Sequence, residues 1–140
     1  MFTDRMSTSG IAPSLAGNVL GSATDDFLIA EWEDPGGVSD SARLIAPLHR
    51  HNEDDEAWYV LEGVLHIQMD DDVIELRAGA GVLVKRGTAH TYWNPGPGRT
   101  RYLLTMTPRI YLLIEAIHSL DDRTEEALKQ VFAEHNSELL

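Results

Sequence analysis

The stretch PLHRHNEDDEAWYVLEG, residues 47–63, combines two histidines, a short acidic run and a closing glycine. In an extended strand, side chains two positions apart lie on the same face, about 6.5 Å from each other. The imidazoles of His49 and His51 can therefore converge on one point. The polar residues 52–55 predict a turn, after which Glu56 returns on the neighbouring strand. Because two neutral imidazoles and a carboxylate suit a borderline divalent transition metal, this stretch predicts a metal site.

A second stretch, GAGVLVKRGTAHTYWN at residues 79–94, contributes another histidine. Together the two stretches resemble the two sequence motifs of the cupin family. The positions that match the first motif without a gap are His49, His51, Glu56 and Gly63. The positions that match the second motif are Gly79, Gly87, His90 and Asn94. Lys85 stands where the family usually has proline, a residue that shapes a turn and binds no metal.

Two long motifs in the expected order are a more specific signal than a lone His-x-His, which a solvated strand edge produces by chance. The resemblance implies a double-stranded β-helix, the jelly-roll barrel of the cupins. The metal ligands that it implies are His49, His51, Glu56 and His90. Such a set would leave a six-coordinate ion with two open positions, and Fe, Mn, Ni, Cu and Zn all suit it. The alternative is a solvated polar strand edge with a separate core histidine.

Strand alternation extends the prediction to the side chains around the metal. The residues that would share the inward face with Glu56 and His90, and so line a substrate pocket, are Trp58, Val60, Tyr92 and Asn94. Aromatic side chains at these positions are equally typical of core filling. His66 lies opposite an apolar stripe, so we expect it to face solvent rather than the pocket.

Composition limits the classes of partner. The chain has 140 residues, which suits one domain, and its net charge is −12. This charge predicts no binding to nucleic acid or to an anionic membrane, because phosphates would be repelled. The absence of cysteine excludes disulfides and thiolate metal ligands. Because we find neither a signal peptide nor a long apolar run, we expect a cytoplasmic protein.

The pattern of elements predicts an all-β fold with helices at its C-terminal end. Short apolar strands separated by Gly and Asp turns favour a sandwich or a barrel. After Pro108 the apolar residues recur at helical spacing, and Asp121 or Asp122 would cap a second helix. We expect both helices to pack outside the barrel and cover a sheet surface or edge. The divisions that this pattern predicts are an arm at 1–16, a barrel at 17–108 and a helical extension of the same domain at 109–140.

The resemblance is greatest to small single-domain cupins of the quercetin-dioxygenase-like subgroup. The resemblance implies a metal-dependent oxygenase, such as a dioxygenase, that acts on a small aromatic or enolisable molecule. It also implies that Glu56 is a catalytic proton acceptor. One alternative is a non-redox isomerase, cyclase or lyase that uses the same metal as a Lewis acid. The other is a cupin that binds a small ligand without turnover. A homodimer is a further expectation, because barrels of this kind carry exposed sheet edges.

Overall fold

The computed structural model describes residues 6–7, 11–12, 14–37 and 43–140. It confirms the all-β jelly roll with two helices near the C-terminus. The strands are β1 Met6–Ser7, β2 Val19–Leu20, β3 Leu28–Asp34, β4 Leu44–His51, β5 Glu56–Glu62, β6 Val64–Met69, β7 Asp72–Arg77, β8 Gly81–Val84, β9 His90–Trp93, β10 Thr100–Met106 and β11 Ser137–Leu139. The helices are α1 Pro108–His118 and α2 Glu125–Glu134.

The strands form two sheets that share one core. Sheet A has the order β1-β2-β3-β10-β5-β8, and sheet B has the order β11-β4-β9-β6-β7. Alternation decides which side chains face the core, as β10 shows: Tyr102, Leu104 and Met106 are buried, and the residues between them are partly exposed. The hairpin between β6 and β7 turns at Asp70 and Asp71, with Asp70 in the left-handed region at φ 53°.

Gly63 explains how the chain passes from sheet A to sheet B. It lies between β5 and β6 with φ +85°, a conformation that L side chains rarely adopt. A Cβ atom at this position would lie 2.5 Å from the carbonyl oxygen of Arg99 and 2.6 Å from Oγ1 of Thr100. Only glycine allows β5 to end here and β6 to begin in the opposite sheet.

Both helices begin at a threonine. The side chain of Thr107 accepts a hydrogen bond from Ile110 N, and that of Thr124 accepts one from Ala127 N at 3.1 Å. The predicted cap of the second helix at Asp121 or Asp122 is therefore wrong, because a threonine hydroxyl nearer the first helical residue fills that role. Within the described residues, no helix is long and apolar enough to cross a membrane.

The helices form a small second core that covers the edge of sheet B. Leu113 from α1 packs with Val131 and Phe132 from α2. The chain then turns and adds β11 to the outer edge of β4. This last strand was absent from the sequence prediction, and it brings the C-terminal residues beside the histidine strand. At the other end, β1 pairs with β2, so residues 6–7 of the predicted arm take part in sheet A.

Candidate metal centre

Three strands bring the predicted ligands together. His49 and His51 lie near the end of β4, His90 begins β9, and Glu56 begins β5. His49 is directly opposite His90 in the pairing of β4 with β9. Glu56, however, does not return on a strand that pairs with β4, because the turn at 52–55 carries the chain from sheet B into sheet A. The centre therefore lies between the two sheets.

The four donor atoms form one compact, buried group. Each of the four residues is at most 6% exposed, and the donor atoms all lie within 4.8 Å of one another. Oε1 of Glu56 is 2.7 Å from Nε2 of His90 and 3.1 Å from Nε2 of His51. The Nε2 atoms of His49 and His51 are 3.2 Å apart. Ligands bound about 2.1 Å from one metal are separated by roughly 3 to 4 Å, so the spacing fits a single ion.

The hydrogen-bond partners of the outer nitrogens, Nδ1, fix the tautomers of His49 and His90. Nδ1 of His49 lies 2.6 Å from the carbonyl oxygen of Pro47, and Nδ1 of His90 lies 2.9 Å from that of Thr88. A carbonyl oxygen can only accept, so both Nδ1 atoms carry the hydrogen. The neutral rings then present bare Nε2 lone pairs to the centre, which is the arrangement that a metal ion requires.

The third imidazole is oriented from outside its own strand. Nδ1 of His51 lies 2.7 Å from Oγ of Ser137, in β11. That hydroxyl donates its hydrogen to the carbonyl oxygen of His135 at 3.1 Å, so Oγ accepts from Nδ1 of His51. When all three rings are neutral, they therefore direct an Nε2 lone pair at the carboxylate of Glu56, and a hydrogen bridges these acceptors only when one of the rings is protonated.

This donor set fits a divalent metal. Buried acceptors that face one another are costly unless a cation lies between them. A metal ion bound by His49, His51, Glu56 and His90 would satisfy every inward lone pair, and the neutral charge of the imidazoles suits a transition metal. The group could thus hold an ion as the sequence predicts, whereas the identity of the metal stays open among Fe, Mn, Ni, Cu and Zn.

Electrostatics of the side chains agree with this interpretation. Burial and then the charges of His90 and His51 lower the pKa of His49 to about 3. Burial alone would lower the pKa of His90, but its hydrogen bond to Glu56 and the charge of Glu56 raise it above the usual value. Burial would raise the pKa of Glu56, yet the hydrogen bonds to His51 and His90 hold it well below its usual range. A metal therefore competes mainly with a proton shared by Glu56 and His90.

Aromatic side chains fill the barrel directly beneath the centre. The Trp58 ring lies 5.7 Å from the His90 ring and 5.2 Å from the Tyr92 ring, measured between centroids. The hydroxyls of Tyr92 and Tyr102 are 3.0 Å apart, and burial raises the pKa of both tyrosines. Trp58, Tyr92 and Val60 are all at most 5% exposed. They face inward beside the ligands, and their part in substrate binding stays a prediction.

Asn94 lies apart from this group. It follows the last residue of β9, and its amide organises the turn to β10. Its Nδ2 donates to the carbonyl oxygen of Gly98 at 2.8 Å, and its Oδ1 accepts from Gly96 N at 3.0 Å. Its predicted place in the pocket is not tested by these contacts, which instead give it a role in the turn. His66 faces outward, as expected, and lies 3.1 Å from the carboxylate of Glu75.

Sequence analysis missed the residues that reach the centre from the C-terminal segment. Ser137 is separated from His51 by 86 positions. The Phe132 ring lies 5.3 Å from that of His49. Neither role has a local sequence signal, because each depends on β11 adding to β4. Only a prediction of that strand pairing would have found them.

A shallow groove borders the site on the outer side. Its volume is about 170 Å³, and its lining combines apolar side chains such as Phe27 and Leu83 with Glu56 and Met106. Pockets for drug-sized ligands span roughly 300–1,000 Å³, so the groove suits only a small molecule.

Comparisons with known proteins agree with the fold. The family described as "Cupin domain" matches residues 38–106. A search of curated proteins found no match.

Among solved structures, a protein with a double-stranded β-helix domain from Klebsiella pneumoniae subsp. pneumoniae MGH 78578 is 24% identical, with a TM-score of 0.51 over 61% of this chain and 70% of that one. A cupin protein from Bacteroides fragilis is 20% identical, with a TM-score of 0.52 over 73% and 75%. A putative sugar phosphate isomerase from Acidithiobacillus ferrooxidans ATCC 23270 is 23% identical, with a TM-score of 0.51 over 59% of this chain, and the match spans about half of that protein, 51%. These likenesses concern the fold. The family match over residues 38–106 spans just under half of the chain.

Proposed function

We propose that this cupin is a metal-dependent oxygenase that acts on a small aromatic or enolisable molecule through an oxygen atom of that molecule. The observation that carries the proposal is the set of three Nε2 atoms and one carboxylate, buried together between the sheets within reach of a single ion. When bound, the metal would supply Lewis acidity toward the substrate oxygen and a site for redox chemistry with dioxygen.

Glu56 is the residue best suited to move a proton. The contacts to His51 and His90 both use Oε1, so Oε2 takes no part in them. The lowered pKa of Glu56 keeps the carboxylate ionised at neutral pH. Oε2 can accept the hydroxyl proton of an enolisable substrate and return it to the product, as a general base does.

The side chains packed around the four ligands exclude water from the site. Trp58 and Tyr92 close the barrel beneath the ligands, and Phe132 packs against His49 from the C-terminal side. A dry site strengthens the interaction of the ligands with charge that develops on the substrate oxygen.

The test is oxygen uptake by protein reloaded with Fe²⁺, Mn²⁺ or Ni²⁺ in separate samples. A panel of flavonols and β-diketones is offered, and we expect consumption of dioxygen with at least one compound, with both oxygen atoms recovered in the product. Glu56→Gln should lose turnover, whereas His66→Ala, which changes an outward histidine, should keep it. A broad panel without oxygen uptake would overturn the oxygenase proposal.

The same samples discriminate the alternatives. Conversion of a substrate under strict anaerobiosis would identify an isomerase, cyclase or lyase. A ligand that raises the melting temperature by mass action and is recovered unchanged would identify a binding protein. The cytoplasmic location and the homodimer stay predictions of the same proposal.

A further inference from the structure

The C-terminal strand covers the edge of the strand that carries two metal ligands. In the antiparallel pairing of β11 with β4, Ser137 is opposite His51 and Leu139 is opposite His49. Backbone hydrogen bonds hold the strand at both ends: Asn52 N donates to Asn136 O at 2.9 Å, and Leu140 N donates to Leu48 O at 3.0 Å. The last residues of the chain therefore form part of the wall of the metal centre.

Of the three hydrogen bonds that orient the imidazoles, one differs in origin. His49 and His90 use backbone carbonyls two residues earlier in the chain, which no substitution removes. His51 instead uses the hydroxyl of Ser137, a side chain that is 2% exposed. Because this hydroxyl donates to the carbonyl of His135, its oxygen can act toward His51 only as an acceptor.

A second contact joins the same segment to the other histidine of β4. The Phe132 ring lies 5.3 Å from the His49 ring at an angle of 59°, and Phe132 is 1% exposed. Phe132 also packs with Leu113 and Val131 in the small helical core. Residues 124–140 thus contact one ligand through a hydrogen bond and another through ring packing.

We infer that Ser137 is a positioning residue of the metal centre. Its hydroxyl holds His51 as the Nδ1–H tautomer with Nε2 toward the metal, and so couples metal binding to docking of the C-terminal segment. The inference relies on the proposed function only in that the four residues bind a metal. Coupling between two binding events is reciprocal, so metal binding must also tighten β11 against β4.

The first test compares three variants for zinc affinity, measured by competition with a chromophoric chelator. Ser137→Ala removes the acceptor, and we expect zinc affinity to fall 10- to 100-fold, as on loss of other hydrogen bonds that orient metal-bound histidines. Ser137→Thr restores the hydroxyl and should return affinity to within about threefold of the original. Glu138→Ala is the matched control, because Glu138 lies in the same strand, is exposed and pairs only with Arg50 at the surface among its described contacts. It should leave zinc affinity unchanged.

The second test detects the hydrogen bond between His51 and Ser137 directly. In the zinc-loaded protein, the Nδ1–H proton of His51 should give a slowly exchanging downfield NMR signal that Ser137→Ala removes and Ser137→Thr retains. In the original protein, zinc should slow amide hydrogen exchange at residues 137–140. This measurement needs no variant, so it holds even if Ser137→Ala fails to fold.

The outcomes separate the inference from the proposed function. If the original protein takes up no zinc, the metal centre fails, and with it both proposals. If it binds zinc but Ser137→Ala binds equally well, or if exchange at residues 137–140 is the same with and without zinc, only the role of Ser137 is overturned. Weaker binding by Ser137→Ala, rescue by threonine and zinc-dependent protection together support the inference.

Discussion

Strand β5 begins and ends with a glutamate, and the two carboxylates lie in opposite surroundings. Glu56 is buried, and its oxygen faces Nε2 of His90 at 2.7 Å. Glu62 is at the surface, where Arg99 donates to it at 3.1 Å and Arg101 at 3.3 Å. The distances at both places are those of ordinary hydrogen bonds, but the two places differ in whether the partners of the carboxylate can donate a hydrogen. Guanidinium groups bring a hydrogen to each contact with Glu62, whereas neutral imidazoles with the hydrogen on Nδ1 bring none to Glu56.

This difference separates a site that needs a cation from a network that is complete without one. Water can solvate any lone pair that the arginines leave free at Glu62, so loss of one partner costs little. At Glu56 no water compensates, because all four ligands are nearly inaccessible. A count of donors and acceptors, combined with burial, therefore distinguishes the two clusters better than contact length does.

The largest effect should come from removal of one ligand. His90→Ala deletes an Nε2 donor, and we expect zinc affinity to fall by more than about 100-fold, beyond the range for residues that only orient a ligand. The measurement is isothermal titration of zinc into protein stripped with a chelator. The control is His66→Ala, since His66 pairs with Glu75 on the outer side of β6. Equal zinc binding by His90→Ala would mean that the buried cluster is a core network like any other.

The next effect concerns acid stability without metal. His49 has a folded-state pKa of about 3, below the usual 6.5, so between these values the unfolded chain binds a proton that the folded chain does not. The contribution of His49 to the free energy of unfolding is therefore fully present above pH 6.5 and is lost as the pH falls toward 3, at about 1.4 kcal/mol per pH unit. His90 adds no slope in this window, because its raised pKa keeps it protonated in both states below pH 6.5.

Urea unfolding of chelator-treated protein at pH 6.5 and 5.0 should thus show a loss of about 2 kcal/mol. His49→Gln removes the titrating group and should flatten the profile. An equally steep profile in that variant would show that the loss comes from other groups.

The metal centre also shows which features could be predicted from the sequence and which could not. The match of His49, His51, Glu56 and His90 to the two cupin motifs implied the barrel and the four candidate ligands, because each motif is a continuous stretch of the sequence. Pairing between distant strands is not local. For that reason the sequence did not predict that Glu56 lies in the sheet opposite the histidine strand. It also did not predict that Ser137 lies beside His51. The cap of the second helix was missed for a smaller reason, since Asp121, Asp122 and Thr124 are all residue types that cap helices well.

A smaller effect is expected at the surface end of the strand. Arg101→Met keeps the aliphatic stem but removes the contacts to Glu31 at 2.8 Å and to Glu62 at 3.3 Å. The pair with Glu62 is exposed and contributes little, whereas the pair with Glu31 is partly buried, so the free energy of unfolding should fall by about 1 kcal/mol. Zinc affinity should stay the same. A loss of several kcal/mol, or a change in zinc binding, would mean that the two clusters are linked through β5.

The smallest effect tests the supply of hydrogens at Glu62 directly. Hydrogen bonds from Arg99 and then Arg101 lower the pKa of the Glu62 carboxyl. A lowered pKa gives a contribution to stability that is present above the usual value near 4.5 and is lost as the pH falls through the folded-state value. Arg99→Met removes the strongest donor, so NMR titration of the Glu62 carboxyl should show its pKa rising toward the usual value, and 1 M salt should reduce the difference between the variant and the original protein. Because Glu62 is solvated, the variant should remain as stable as the original within error. An unchanged Glu62 pKa in Arg99→Met would contradict the view that Arg99 stabilises the ionised carboxylate at this end of β5.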